Sequence, residues 1–149
     1  MILETAKKVL KTEAESILGL IDKINENFVR AVDLIANCKG KVVFTGIGKS
    51  GFISKKIAST LASTGTPAFF LHPAEGVHGD LGMLSPKDVV VVISNSGETD
   101  EVLQLFPLLK HMNLKIIVFT GNVNSTLASR GDIIINTSVK EEACPWGSV

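Results

Sequence analysis

The apolar positions follow two different periods along the chain. In the amino-terminal part Ile17, Leu20, Ile21, Ile24, Phe28, Val32 and Ile35 recur every three or four residues, the stripe of an amphipathic helix. Glu13, Glu15, Asp22, Lys23 and Glu26 fall mostly on the opposite face. The spacing predicts helix over residues 2–37, in two pieces with a weak point near Asn25 to Asn27. Such a stripe packs either on its own domain or against a second subunit.

After Cys38-Lys39-Gly40-Lys41 short continuous apolar runs replace the stripe. Five strands are predicted, at 42–45, 68–71, 89–93, 114–119 and 132–136. Helices are predicted at 52–62, around Val102, Leu103, Phe106 and Leu109, and briefly at 125–129. Residues 72–80 read as a polar loop, and Leu84-Ser85-Pro86-Lys87-Asp88 as a turn. The run Val89-Val90-Val91-Val92-Ile93 is the kind buried on both faces of a parallel sheet. Strict alternation of strand and helix predicts an α/β fold, a three-layer, doubly wound, flavodoxin-like parallel sheet of about five strands behind amino-terminal helices. Its ligand crevice belongs at the strand carboxyl ends.

Composition narrows this further. The 149 residues are 45% hydrophobic, enough for one domain with its own core. Fifteen basic side chains balance fifteen acidic ones, so no nucleic-acid or anionic-membrane surface is expected. Glu4, Lys7, Lys8 and Lys11 interrupt any signal segment, and no apolar run reaches spanning length. Cys38 and Cys144 lie far apart and form no metal-type pair, so a reduced cytoplasmic protein is expected.

The chemistry concentrates where strand 89–93 ends in Ser94-Asn95-Ser96-Gly97-Glu98-Thr99. A helix amino terminus there offers unpaired N–H groups and a positive dipole end. Three hydroxyls and an amide around it suit a dianionic phosphate, with Gly97 letting backbone approach the ligand. Capping by Ser96 explains one serine and not the cluster.

Gly46-Ile47-Gly48-Lys49-Ser50-Gly51 is a G-x-G-x-x-G turn after a strand. The acid that should end the next strand in a dinucleotide fold is missing, because 68–71 runs into His72-Pro73. A P-loop would need glycine at Val43. The loop His72-Pro73-Ala74-Glu75-Gly76-Val77-His78-Gly79-Asp80 lacks metal-ligand spacing, so His78 reads as a pocket hydrogen-bonding or proton-transfer group, or a structural loop histidine. Lys49, Ser50, His78, the Ser94 cluster and Glu142 are all candidates to converge on the crevice.

Gly46 to Gly51, His78-Gly79-Asp80-Leu81-Gly82-Met83, Ser94 to Thr99 and Glu142-Ala143-Cys144-Pro145, in this order, resemble the sugar-isomerase (SIS) domain, and more narrowly the D-arabinose 5-phosphate isomerase family. The resemblance implies cofactor-free, metal-free interconversion of D-ribulose 5-phosphate and D-arabinose 5-phosphate through an enediol. It further implies supply of the lipopolysaccharide or capsule sugar Kdo, and a cytoplasmic homotetramer. It assigns Gly48, Ser50, Ser94, Asn95, Ser96 and Thr99 to the phosphate. Lys49, Glu101 and Glu142 fall in its catalytic neighbourhood, with His78 nearby. Spacing alone reads Glu101 only as a first-turn acid complementing the helix dipole.

The family pattern continues past Cys-Pro into a further helix, another active-site histidine and usually CBS domains. Here Cys144-Pro145-Trp146-Gly147-Ser148-Val149 ends the chain, so a shortened SIS domain over 39–149 is expected behind helices 1–38. Reduced activity is expected with it, and a final strand left bare or covered by a neighbour. The alternative function is a non-catalytic, sugar-phosphate-binding regulatory module. That module would need the Ser94 cluster but not Lys49, Glu101 and Glu142 together.

Overall fold

The computed structural model describes residues 1–144. Helix α1 (Ile2–Leu18), a 3-10 turn (Ile21–Lys23) and α2 (Glu26–Ala36) lead into β1 (Val42–Thr45). Then come α3 (Gly48–Ser63), β2 (Ala68–Phe70), α4 (Pro73–Val77), a second 3-10 turn (Asp80–Met83) and β3 (Val89–Ile93). Helix α5 (Asp100–His111), β4 (Lys115–Thr120), α6 (Thr126–Arg130) and β5 (Ile133–Asn136) complete it. Pro145, the last residue of the fourth motif, and the four residues after it lie outside the described residues.

The five strands form one parallel sheet in the order β2-β1-β3-β4-β5. This is the doubly wound, flavodoxin-like order, with its reversal between β1 and β3. Alternate strand residues feed two cores. Val43, Val90, Val92, Ile116 and Val118 pack with Val102, Leu105, Phe106 and Leu109 of α5. Val42, Phe44, Val89, Val91 and Ile117 pack on the other face with Ala31 of α2 and Ala58 of α3. Each large apolar side chain removed from water there contributes about 1.5–3 kcal/mol. The continuous Val89–Ile93 run is therefore a central strand with helices on both sides.

The edge strand β5 is not bare. Helix α2 lies against it, the Asn27 amide donates to the Ile134 carbonyl at 3.2 Å, and Ile133 is buried. Ile134 packs toward the α5 core and Ile135 toward the α2 core. The amino-terminal segment thus supplies a cover that the sequence reading assigned to a missing helix or a neighbour. Helix α1 behaves differently. Thr12 is its one buried residue, while Ile2, Leu3, Leu10, Ile17 and Leu18 are each at least 62% exposed.

Three predicted boundaries move. The break between the first helices comes earlier, at Gly19 and the 3-10 turn, and Asn25 instead caps α2 by accepting the Asn27 N–H at 2.9 Å. Helix α3 starts at Gly48 and not at Phe52, so Lys49, Ser50 and Gly51 are helical. Half of the polar loop is also helix, because His72 Nδ1 accepts the Ala74 N–H at 3.3 Å and Pro73 occupies the first helical position.

Candidate active site

At the order reversal the chain leaves β1 toward one face and β3 toward the other, the place where doubly wound sheets take their ligand, in the crevice between the two turns. The β1–α3 wall is tight. A β-carbon on Gly46 would meet the Ile93 carbonyl at 2.8 Å, and one on Gly51 the Gly46 carbonyl at 2.8 Å. Glycine at both positions brings the first turn of α3 against the ends of β1 and β3. Gly48 takes a left-handed φ of 56° as the helix begins. Lys49 is exposed there and Ser50 half-buried, with α3 N–H groups opening toward the crevice end.

The β3–α5 wall is the Ser94–Thr99 loop, whose six residues fall into two groups. Ser94 is buried, and its hydroxyl accepts the Gly97 N–H at 3.1 Å and lies 2.9 Å from the Thr99 hydroxyl. Asn95 and Ser96 are exposed at the rim, and Thr99 is half-buried. Ser96 does not cap α5. The cap is Thr99, through its backbone and without a side-chain bond, while the Ser96 hydroxyl accepts the Glu98 N–H at 3.2 Å. Asn95, Ser96, the Thr99 hydroxyl and the α5 amino terminus can therefore present donors to an oxyanion.

Gly97 has a different reason than the one expected. Its φ is 68°, and a β-carbon there would overlap the Ser125 hydroxyl, so the close approach is to the protein itself. Through it the loop leans on the β4–α6 segment. The Gly97 carbonyl accepts the Leu127 N–H at 3.1 Å, and the Asn95 carbonyl accepts the Gly121 N–H at 3.0 Å. Glu98 Oε1 accepts the Thr126 N–H at 2.7 Å. That bond, then the Thr126 hydroxyl, hold the Glu98 carboxyl below its ordinary value of 4.5, with the nearby Arg130 adding to the effect against a little desolvation. Sequence reasoning missed Glu98, Ser125 and Thr126 as partners. Ser125 carries an N-cap signal, which the structure uses for the Ala128 N–H at 3.3 Å, but nothing local points across to Gly97.

The remaining candidates flank these walls. Glu101 is exposed in the first turn of α5. His78 is exposed at the carboxyl end of α4, which packs on α5 where Gly76 leaves room for Leu105. Glu142 follows β5 and lines a surface hollow with Thr5, Lys8, Val9 and Thr12 of α1. β5 stands three strand positions from β1, about 14 Å at the usual strand spacing. Among the described residues neither Lys49 nor Glu142 enters an ion pair, and no cluster of three metal-ligating side chains occurs. No helix among them is long and apolar enough to cross a membrane.

The SIS domain profile matches residues 34–149. The chain belongs to the SIS domain family. Within it, the chain is 51% identical over 144 residues to arabinose 5-phosphate isomerase KdsD of Yersinia pestis, covering 97% of this chain and 44% of that protein. It is 50% identical over 143 residues to a probable arabinose 5-phosphate isomerase of Haemophilus influenzae, covering 96% of this chain and 42% of the relative. The chain thus spans less than half the length of these curated relatives. Among solved structures, an Escherichia coli CFT073 protein in complex with arabinose 5-phosphate superposes with a TM-score of 0.93 at 44% identity, covering 99% of this chain and 79% of that one. The first three motifs, and Glu142, Ala143 and Cys144 of the fourth, therefore follow the strands of the parallel sheet that the alternation predicted.

Proposed function

We propose that this SIS chain belongs to an aldose–ketose isomerase that interconverts D-ribulose 5-phosphate and D-arabinose 5-phosphate through an enediol, in the supply of Kdo for lipopolysaccharide or capsule. One observation carries the reading. A hydroxyl- and amide-bearing loop opens on the crevice in a chain about half identical to proteins bearing that activity in their names. The regulatory-module alternative is not favoured by those relatives.

In this reading Gly48, Ser50, Ser94, Asn95, Ser96 and Thr99 form the phosphate end. Asn95, Ser96 and Thr99 donate to it, Gly48 and Ser50 close it from α3, and Ser94 holds the loop in shape. Each charge-assisted hydrogen bond contributes about 1.5–3 kcal/mol, and together they hold the sugar chain for the proton transfer.

Lys49, beside the phosphate end, stabilises the developing enediolate oxygen, a contribution of roughly 3–4 kcal/mol for one preorganised donor. Glu142, which the subunit sets beside α1, takes the carbon proton once its segment is brought against the crevice, a general-base contribution of roughly 10²–10⁴-fold. Glu101 and His78 open the ring or shuttle the proton to oxygen. The mechanism asks for no cofactor.

Helices 1–38 serve, in the same reading, as packing for residues 39–149 and for a second subunit, within a cytoplasmic homotetramer. The exposed apolar residues of α1 support that assignment. Incubating the full-length protein with D-ribulose 5-phosphate and identifying the product tests the whole. Arabinose 5-phosphate is expected. Sugar-phosphate binding without any conversion would overturn the enzyme in favour of the regulatory module.

A further inference from the structure

We infer that Glu98 is a positioning residue for the anion loop, its carboxylate seated on the Thr126 N–H so that Ser96 and its neighbours face the phosphate. The inference rests on the proposed reading of the Ser94–Thr99 loop as the phosphate end of the site.

Beyond the end of β4, three backbone N–H groups among residues 121–127 donate to this loop. Two donate to the backbone carbonyls of Asn95 and Gly97 and are independent of side chain. The third, that of Thr126, donates to the Glu98 carboxylate at 2.7 Å. Glu98 is joined to the rim at its other end as well, since its own N–H is donated to the Ser96 hydroxyl at 3.2 Å. One residue therefore bonds the scaffold with its side chain and an exposed rim hydroxyl with its backbone. A hydroxyl that accepts from Glu98 keeps its proton for a ligand, so the bond orients Ser96 as a donor.

Charge makes the anchor more than packing. An ionised carboxylate two residues from Ser96 would repel a phosphate dianion if it turned toward the crevice. The Thr126 N–H holds it over α6 instead. Losing either half of the bond frees the loop, and losing the Thr126 donor also leaves the Glu98 charge free beside the anion site.

Five proteins test this in full length: wild type, Glu98→Ala, Glu98→Gln, Thr126→Pro and the Glu98→Ala/Thr126→Pro double variant. Proline removes the N–H donor at the first position of α6, where its fixed φ is tolerated, and Ser125 before it is already extended. Arabinose 5-phosphate binding is read by calorimetry, KM and kcat by turnover, and the Thr126 amide by hydrogen exchange in the three proteins that retain it.

Glu98→Ala and Thr126→Pro are expected to weaken binding about tenfold and to raise KM with little change in kcat. Combining them should add little, as expected of two halves of one bond. Glu98→Gln, whose amide oxygen still accepts, should stay within about threefold of wild type.

Wild-type affinity in Glu98→Ala, with faster exchange at Thr126, would overturn the inference while leaving the phosphate reading intact. Tighter binding by both Glu98 variants would overturn it too, by showing plain repulsion. A wild type that binds no sugar phosphate would overturn the loop reading and this inference with it.

Discussion

The hydroxyl oxygens of Ser94 and Thr99 lie 2.9 Å apart, at the two ends of the loop that joins β3 to α5. Two hydroxyls at that distance share one proton. Ser94 is buried and accepts the Gly97 N–H, and either hydroxyl can donate to the other; with Ser94 as donor the Thr99 proton is free for a ligand. Ser94→Ala leaves the Gly97 N–H without its acceptor and should cost roughly 1–3 kcal/mol of stability. Ser96→Ala removes a rim donor and should weaken sugar-phosphate binding by roughly 1–3 kcal/mol with little change in melting. Thermal melts beside calorimetric titrations of the two variants separate scaffold from rim. Equal melting losses would erase the distinction.

Gly97→Ala should destabilise by more than about 1 kcal/mol through its left-handed φ alone, and further through its overlap with Ser125. Adding Ser125→Gly should recover the overlap part and leave the φ part. A double variant no more stable than Gly97→Ala would show that Ser125 yields freely.

The proton-transfer assignment rests on Glu142. Glu142→Gln should abolish entry of solvent deuterium at C1 or C2 of the sugar while binding persists, because an amide keeps the size but cannot take a proton. Nuclear magnetic resonance of substrate equilibrated in deuterated water reads this. Exchange at the wild-type rate would move the base to Glu101 or His78.

Acid should loosen the Glu98 anchor. Its carboxyl is held below the ordinary 4.5 by the Thr126 bonds and by Arg130, so it is ionised in the folded protein over a wider range than in the unfolded chain. The stabilisation is complete above about 4.5 and is lost as pH falls through the lower folded value. The melting difference between wild type and Glu98→Gln should shrink to nothing on that descent. A difference constant with pH would mean the carboxylate charge contributes nothing.

Leu10→Asp with Ile17→Asp tests the α1 stripe, one face of the helix at a spacing of seven. The two side chains are 66% and 68% exposed, so the charges should spare the folded subunit and dissociate the proposed homotetramer. Light scattering against dilution measures it. Unchanged mass in the double variant would place the interface elsewhere.

These particulars show what a linear reading captures. Val89 to Ile93 is legible because a buried parallel strand needs no partner to reveal itself, and the alternation around it yields the sheet. Lys49 and Ser50 read as a turn because Gly48 and Gly51 weaken helix propensity. The structure keeps Gly51 in the helix for its distance to the Gly46 carbonyl, a reason that lies in another element. His72-Pro73 carries a legible helix start, hidden by the polar residues around it. Glu98 is invisible as an anchor because its partner, Thr126, is remote in sequence and binds it chiefly through a backbone N–H, which any residue carries. Capping rules describe neighbours along the chain, and this loop is held by neighbours across it.

The pairing of α2 with β5 bears on the order in which the molecule assembles. Asn27 leaves the ribosome long before Ile134, the carbonyl it will bond. Strands β1 and β3 can already be paired when β5 has yet to be made. The crevice can therefore form before the sheet is sealed, and the part of α2 that packs on β5 waits uncovered until synthesis reaches that strand. During that interval the nascent domain is most exposed to chaperones and to off-pathway association, and a phosphate ester bound in the crevice would steady it from within.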